Sequence, residues 1–233
     1  MINFHVKNRS SGAVQFSAEI NCSEDDETSK KLCLAVNWAL DNGTNLRGAN
    51  LAGAYLAGTY LRGVDFAGAN FEGANIEGAN LAGVNLRGAN LSGANLAGAN
   101  FRGANLEEAY FEGANLTGAY FEGANLRWVG FKGAYLAGAD FAGASLGGAS
   151  LGGANGINDW VKCIQIETYS IAYTAEILQI GCESHPIADW RNFDTRRIAE
   201  MEGKKALKFW DKYRNWIFET MALCPAKSTG AKQ

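Results

Sequence analysis

Histidine is almost missing from this chain: His5 and His185 are the two copies, close to opposite ends. That leaves little room for a His-centred acid–base or metal site. Proline is equally scarce, with two residues in 233. The five cysteines (22, 33, 163, 182, 224) form neither a CxxC pair nor a disulfide framework. Cys163 and Cys182 would face each other if their region folds as a hairpin, although small buried residues is the plainer reading. Thiols of this kind point to a reducing, cytoplasmic compartment. No apolar run approaches the ~18 residues of a membrane span, and residues 1–7 lack the long apolar core of a signal peptide. No phosphate-binding loop or dinucleotide fingerprint occurs, because no glycine cluster joins a strand to a helix. The sequence therefore nominates no catalytic residue, metal ligand, cofactor or small-molecule substrate.

What the chain does have is a period. From Leu46 to Leu151 a large apolar residue falls at every fifth position, 22 sites in all, as 14 Leu, 7 Phe and Ile76. Chance alone would give such a run with a probability of about 10⁻⁷. Two residues before each site stands Ala, Val or Thr, and two residues after it stands Gly, except at Glu108 and Trp128. Asn precedes the apolar site twelve times. Collagen needs glycine at every third position, and a disordered linker would not hold a large side chain in strict phase. Five matches neither the helical period of 3.6 nor the strand period of 2. It fits a chain that takes a short extended step and then turns. Gly and Asn suit the turn, and stacked coils would bury the Leu/Phe and Ala positions in one continuous core.

The unit (Ala/Val)-(Asn/Asp/Tyr)-(Leu/Phe)-X-Gly resembles that of the pentapeptide-repeat family. The resemblance implies a mainly β fold, a right-handed quadrilateral β-helix with four repeats per coil. Residues 20 apart would then stack. Arg87, Glu107 and Arg127 would form a charge ladder, Glu108 and Trp128 would share an edge, and Tyr60 and Tyr120 would share a column with Asn80 and Asn100. The rod would be about 26 Å long at a strand spacing of ~4.8 Å.

The flanks read as caps, giving three segments: residues 1–43, the solenoid 44–155, and 156–233. Residues 2–7 and 13–20 alternate like two strands around a turn-rich cluster. A helix is expected over about 24–40, with Ser23 and Asp26 at its start and Asn42-Gly43 as its stop. Such a hairpin and helix would cover the open first coil, or the hairpin could recruit a partner strand. After the repeats, 160–168 and 171–182 read as a β-hairpin. A short helix is expected near 186–193, a cap at Asp194, and a last helix over about 204–223. The caps resemble those of phage and prophage pentapeptide-repeat proteins, whose tails are similar to Leu178-Gln179-Ile180-Gly181-Cys182…Trp190…Ile198-Ala199-Glu200-Met201.

The last helix carries an apolar arc of roughly 200°, wider than one packed side requires. Trp210, Tyr213, Ile217 and Met221 lie near its centre. Phe209 and Trp216 on one flank, and Leu207 and Phe218 on the other, are either packed inside the chain or left for a partner or a second copy. Glu108 and Trp128 are the other candidate contact residues.

Two binding functions compete. Quinolone-resistance members of the family, which engage DNA gyrase, imply DNA mimicry. Yet ~26 Å of duplex carries about 15 negative charges, whereas residues 46–153 hold eight acids against six bases. The other reading is a non-enzymatic rigid scaffold, phage-related, that engages a host defence or DNA-transacting protein.

Overall fold

The computed structural model describes residues 1–156, 159–166 and 169–229. Its centre is a four-sided solenoid. Isolated parallel bridges join residues 20 apart, from Asn50–Asn70 to Tyr135–Asn155. The apolar sites stack with the same step: Phe101 on Phe121 (5.0 Å between ring centres), Phe111 on Phe131 (5.4 Å) and Phe121 on Phe141 (5.0 Å).

One repeat, residues 69–73, explains why the unit has five residues. Its first and last backbone N–H groups serve the turns and corners: Ala69 N–H donates to Phe66 O (2.9 Å), and Gly73 N–H to Ser92 O of the next coil (3.0 Å). Asn70 N–H donates down to Ala49 O (2.9 Å), and Phe71 N–H up to Asn90 O (2.7 Å). The remaining donor, Glu72 N–H, is satisfied by the Asn70 side chain at 3.2 Å. All five donors are thus paired, as a buried backbone requires. Asn has a second use, because its amide also donates to the Asn one coil below, as in Asn70–Asn50, Asn90–Asn70 and Asn115–Asn95, each at 3.1 Å. The corner residue after X has positive φ, which glycine adopts without cost.

At the N-terminal end β1 (Ile2–Lys7) and β2 (Val14–Ile20) form an antiparallel hairpin. Asn8 closes its turn by accepting from the N–H groups of Ser10 (3.0 Å) and Ser11 (3.1 Å). Helix α1 (Thr28–Asp41) follows and buries Leu32, Ala35, Val36 and Ala39 in the same core as the first coils. It begins later than the expected residue 24. Ser23 and Asp26 close a separate turn, with Ser23 N–H on the Asp26 carboxylate (2.8 Å), and Asp26 also binds Lys30 (2.8 Å). The N-cap is Glu27, which makes no side-chain capping bond. The hairpin completes the first coil: Asn50 N–H finds Lys7 O (2.8 Å), and Arg9 Nη1 bonds the carbonyls of Gly68 and Gly88, both at 3.3 Å.

Beyond the last coil lies a four-stranded antiparallel meander, β3 (Lys162–Ile166), β4 (Tyr169–Tyr173), β5 (Ile177–Ile180) and β6 (Glu183–Pro186). The single strand expected over 171–182 is therefore two. Thr174 breaks it: its hydroxyl oxygen accepts from Glu176 N–H (3.2 Å) and Ile177 N–H (3.0 Å), an alternative to the ladder. Cys163 lies in β3 opposite Ala172, and Cys182 sits in the β5–β6 turn, so they do not face each other across a hairpin.

Two helices finish the chain, α2 (Ile187–Asn192) and α3 (Thr195–Leu223). Asp194 caps α3 through Arg197 N–H (2.8 Å). Helix α3 is longer than the expected 204–223 because two helical runs meet at a break, where Gly203 has φ 60°. The meander separates two cores. Ala172 faces the solenoid, while Ile171, Tyr173, Leu178 and Ile180 pack with Trp190, Phe209, Trp210 and Ile217. The helix therefore packs on the meander, not on the solenoid end.

Candidate functional site

The surface that the repeats present is four long sidewalls joined at the glycine corners. Their charges follow from the 20-residue step. One wall holds Glu72, Glu112 and Lys132; the next holds Glu77 alone. A third holds Arg62, Arg102, Glu122 and Asp140, and the fourth Asp65, Glu107, Arg47, Arg87 and Arg127, with Glu108 at its corner. No wall departs from neutrality by more than one charge. Opposite charges also pair within the walls: Arg102 with Glu122 (2.8 Å), Arg47 with Asp65 (2.8 Å), and Arg87 with Glu107 (3.6 Å) and Glu108 (3.4 Å). These pairs are exposed and contribute at most ~1 kcal/mol each. Aromatic rings stand out from the walls at Tyr55, Tyr60, Tyr110, Tyr120 and Tyr135, and the Arg102 guanidinium lies 4.9 Å from the centre of the Tyr120 ring.

Glu108 and Trp128 occupy one corner in successive coils. Both hold φ 60°, the left-handed conformation that glycine provides at the other corners. For residues with a Cβ that conformation costs about 1–2 kcal/mol. Trp128 is 60% exposed, and its indole lies on the backbone of Gly148 one coil above, where a Cβ would fall 2.3 Å from the ring. One ring face is therefore supported by the rod and part of the ring remains open.

The residues proposed on α3 have separate fates. Phe209 is 5% exposed and packs 4.4 Å from Tyr169, so it is a core residue and not part of a partner surface. Of the expected centre, Trp210 and Ile217 are buried, whereas Tyr213 and Met221 are only partly buried, and Phe209 joins the buried set in their place. Leu207 and Phe218 are half-buried against the same core. Phe218 meets Trp210 edge-on (6.1 Å) and lies under the Arg191 guanidinium (4.3 Å). Trp216 stays 44% exposed. The four side chains do not form one patch.

Near the helix break, the Tyr169 hydroxyl donates to the Glu202 carboxylate, which also holds Lys205 at 3.1 Å. Burial, then the Glu202 bond, pushes the Tyr169 hydroxyl up to about 12. The Tyr169 bond, then Lys205, holds the Glu202 carboxyl below its usual range. Among the described residues no group of three or more His, Cys, Asp and Glu could hold a metal ion, and no helix is long and apolar enough to cross a membrane.

Residues 44–81, 79–118, 94–133 and 119–155 match the family model for pentapeptide repeats, in eight copies. A solved pentapeptide repeat protein from the Arabidopsis thaliana thylakoid lumen is 35% identical over 44% of this chain and 68% of its own, with a TM-score of 0.33. The chain belongs to the pentapeptide-repeat family. Its solenoid is the right-handed β-helix of that family. A second pentapeptide-repeat structure, HetL, involved in heterocyst differentiation regulation in Nostoc sp. PCC 7120, is 31% identical over 45% of this chain and 60% of that one (TM-score 0.21). QnrB1, a plasmid-mediated fluoroquinolone resistance protein, is 24% identical over 44% and 60% (TM-score 0.21). No curated protein matches the sequence. The family model matches residues 44–155, the solenoid.

Proposed function

We propose that this pentapeptide-repeat protein is a rigid, non-catalytic scaffold that binds a protein partner through its solenoid walls and the Glu108/Trp128 corner. One observation carries the reading: the walls are near neutral, ion-paired on two of the four sides and studded with exposed aromatic rings. Aromatic anchors ringed by polar groups are what protein interfaces use. Accepting backbone strain at two adjacent corners is the kind of departure that accompanies function. The resemblance of the caps to phage and prophage members supports a host protein as partner, a defence or DNA-transacting component, met in the cytoplasm. The caps at 1–43 and 156–233 would then close the rod and leave its sides for binding. A homodimer through α3 would rest on Trp216, with Phe218 and Leu207 at its margin and Phe209 withdrawn.

DNA mimicry of the kind expected for a gyrase modulator is disfavoured, because no wall departs from neutrality by more than one charge. A photo-reactive residue placed at Trp128, and in a second variant at Tyr60, tests the scaffold in cells. One specific heterologous adduct is expected at Trp128. The absence of adducts at both positions would overturn the reading. A gyrase supercoiling assay provides the other arm: no inhibition is expected, and inhibition abolished by Glu72→Gln or Glu112→Gln would establish the mimic instead.

A further inference from the structure

The α2–α3 junction holds an arrangement that neither the repeats nor the scaffold reading uses. Arg191, Arg214, Asn215, Phe218 and Glu219 line an open groove of about 380 Å³. Both guanidinium groups are held in place. Arg191 lies 4.3 Å from the centre of the Phe218 ring, and Arg214 lies 5.6 Å from that of Trp210. Arg214 Nη2 also donates to the Arg191 carbonyl at 2.7 Å, tying the two residues together across the helices. Among the described residues neither guanidinium is within ion-pair distance of a carboxylate. On the solenoid walls, by contrast, Arg47, Arg87 and Arg102 each have an acid close by. Two fixed, unpaired guanidinium groups facing one groove resemble a binding site more than a solvated surface, because each fork presents five N–H donors that match an oxyanion bidentately.

We propose that this groove binds a small phosphorylated ligand that also carries hydroxyl or amine donors, of the nucleoside monophosphate class. Arg191 and Arg214 take the phosphate. Glu219, the single carboxylate in the lining, accepts from a sugar hydroxyl, and the Asn215 amide both donates and accepts at a heterocycle edge. The volume falls within the ~300–1,000 Å³ of small-molecule sites. A long polyanion fits less well. The chain carries a net charge of −3, Glu219 would oppose neighbouring phosphates, and extended nucleic acid binding depends on many basic contacts. This assignment is independent of the solenoid partner and fails or stands separately from it.

The test is calorimetric titration of the full chain with adenosine monophosphate, inorganic phosphate, adenosine, a single-stranded oligonucleotide and oligoglutamate. Saturable binding of the monophosphate is expected, with phosphate and adenosine each at least about tenfold weaker. Arg191→Gln and Arg214→Gln should each weaken the monophosphate at least about tenfold, a typical effect of losing a charged hydrogen bond. Arg214→Lys should not rescue it, because an ammonium lacks the fork. Glu219→Gln should strengthen phosphate while narrowing the preference for the monophosphate over it. All three positions are at least partly exposed, and unchanged melting of each variant will show that the fold is intact. Equal affinity for monophosphate and phosphate would mean an adventitious anion only. Tighter, steeply salt-dependent binding of the oligonucleotide would make the groove part of a nucleic-acid surface, and preferential binding of oligoglutamate an acidic-peptide site. Either result, or no binding at millimolar monophosphate, overturns the proposal.

Discussion

The solenoid and the C-terminal cap are stabilised by opposite strategies. In the solenoid each repeat makes the same contacts as its neighbours, one coil above and one below. The Phe101–Phe141 stack, the Asn ladders and the five-donor hydrogen-bond cycle are copies of a single local solution. The cap has no copies. Trp190 donates its indole N–H to Leu178 O (2.6 Å) and packs against Phe193 and Trp210 at 5.3 and 5.2 Å. One ring thereby joins β5, α2 and α3. Damage in a repeat should therefore spread along the rod, whereas damage in the cap should stay local to it. The two regions meet where Gln179 Oε1 accepts from Leu151 N–H at 2.5 Å, in place of the carbonyl that a further coil would supply.

Five experiments sharpen or break that contrast. Phe111→Asp should have the largest effect. The ring touches Phe101, Phe121 and Phe131, and a buried unpaired carboxylate there should cost more than about 4 kcal/mol. Circular dichroism should show loss of the rod, and a folded variant would mean that coils tolerate independent defects. Trp190→Ala should cost about 3–5 kcal/mol but only in the cap. Hydrogen exchange should quicken in β5, α2 and α3 while the coils up to Leu136 keep their protection; uniform quickening would show a single cooperative unit.

Gln179→Ala leaves the Leu151 donor unsatisfied, a loss of about 1–2 kcal/mol. The Leu151 amide should exchange faster, with little change in the first coils. Glu108→Gly relieves left-handed strain and should raise stability by about 1 kcal/mol, read as a higher melting temperature. No gain would mean that the Arg87 contact compensates for the strain. The smallest effect is pH-dependent. Tyr169 titrates higher in the folded chain than the ordinary value of 10.0, about 12, so the folded state holds its proton longer. Its contribution is complete below pH 10 and is lost as pH rises from 10 toward 12. Glu202 has a depressed carboxyl, so its contribution is present above its ordinary value of 4.5 and is lost as pH falls below that value. Tyr169→Phe should flatten the alkaline limb of a pH-melting curve; an unchanged limb would remove Tyr169 as its cause.

The same contrast explains what could be read in advance. The spacing from Leu46 to Leu151 is a property of consecutive residues, so the solenoid was legible, and the family resemblance supplied its four sides. The double use of Asn was not, because only the stacked coil reveals the amide-to-amide step. In the caps the deciding partners are remote or unexpected. Thr174 looks compatible with a continuing strand until its hydroxyl captures the two following amides. Ser23 and Asp26 have the spacing of a helix start, yet close a turn of their own. On the wheel of α3 Phe209 falls on a flank, and only the position of Tyr169 shows that this flank is buried. The Arg191–Arg214 groove was missed for the same reason: its residues lie 23 apart in two helices, and no local pattern joins them.

A 20-residue step has a mechanical consequence for how the two caps are arranged. Adding or removing whole coils would change the distance between them by about 4.8 Å at a time while keeping each wall in phase. Adding or removing one pentapeptide would instead turn the distal cap by a quarter-revolution, carrying Trp216 and the groove of Arg191 to a different side. The rod thus works as an indexed shaft, on which length and angular setting are separately adjustable by the number of repeats.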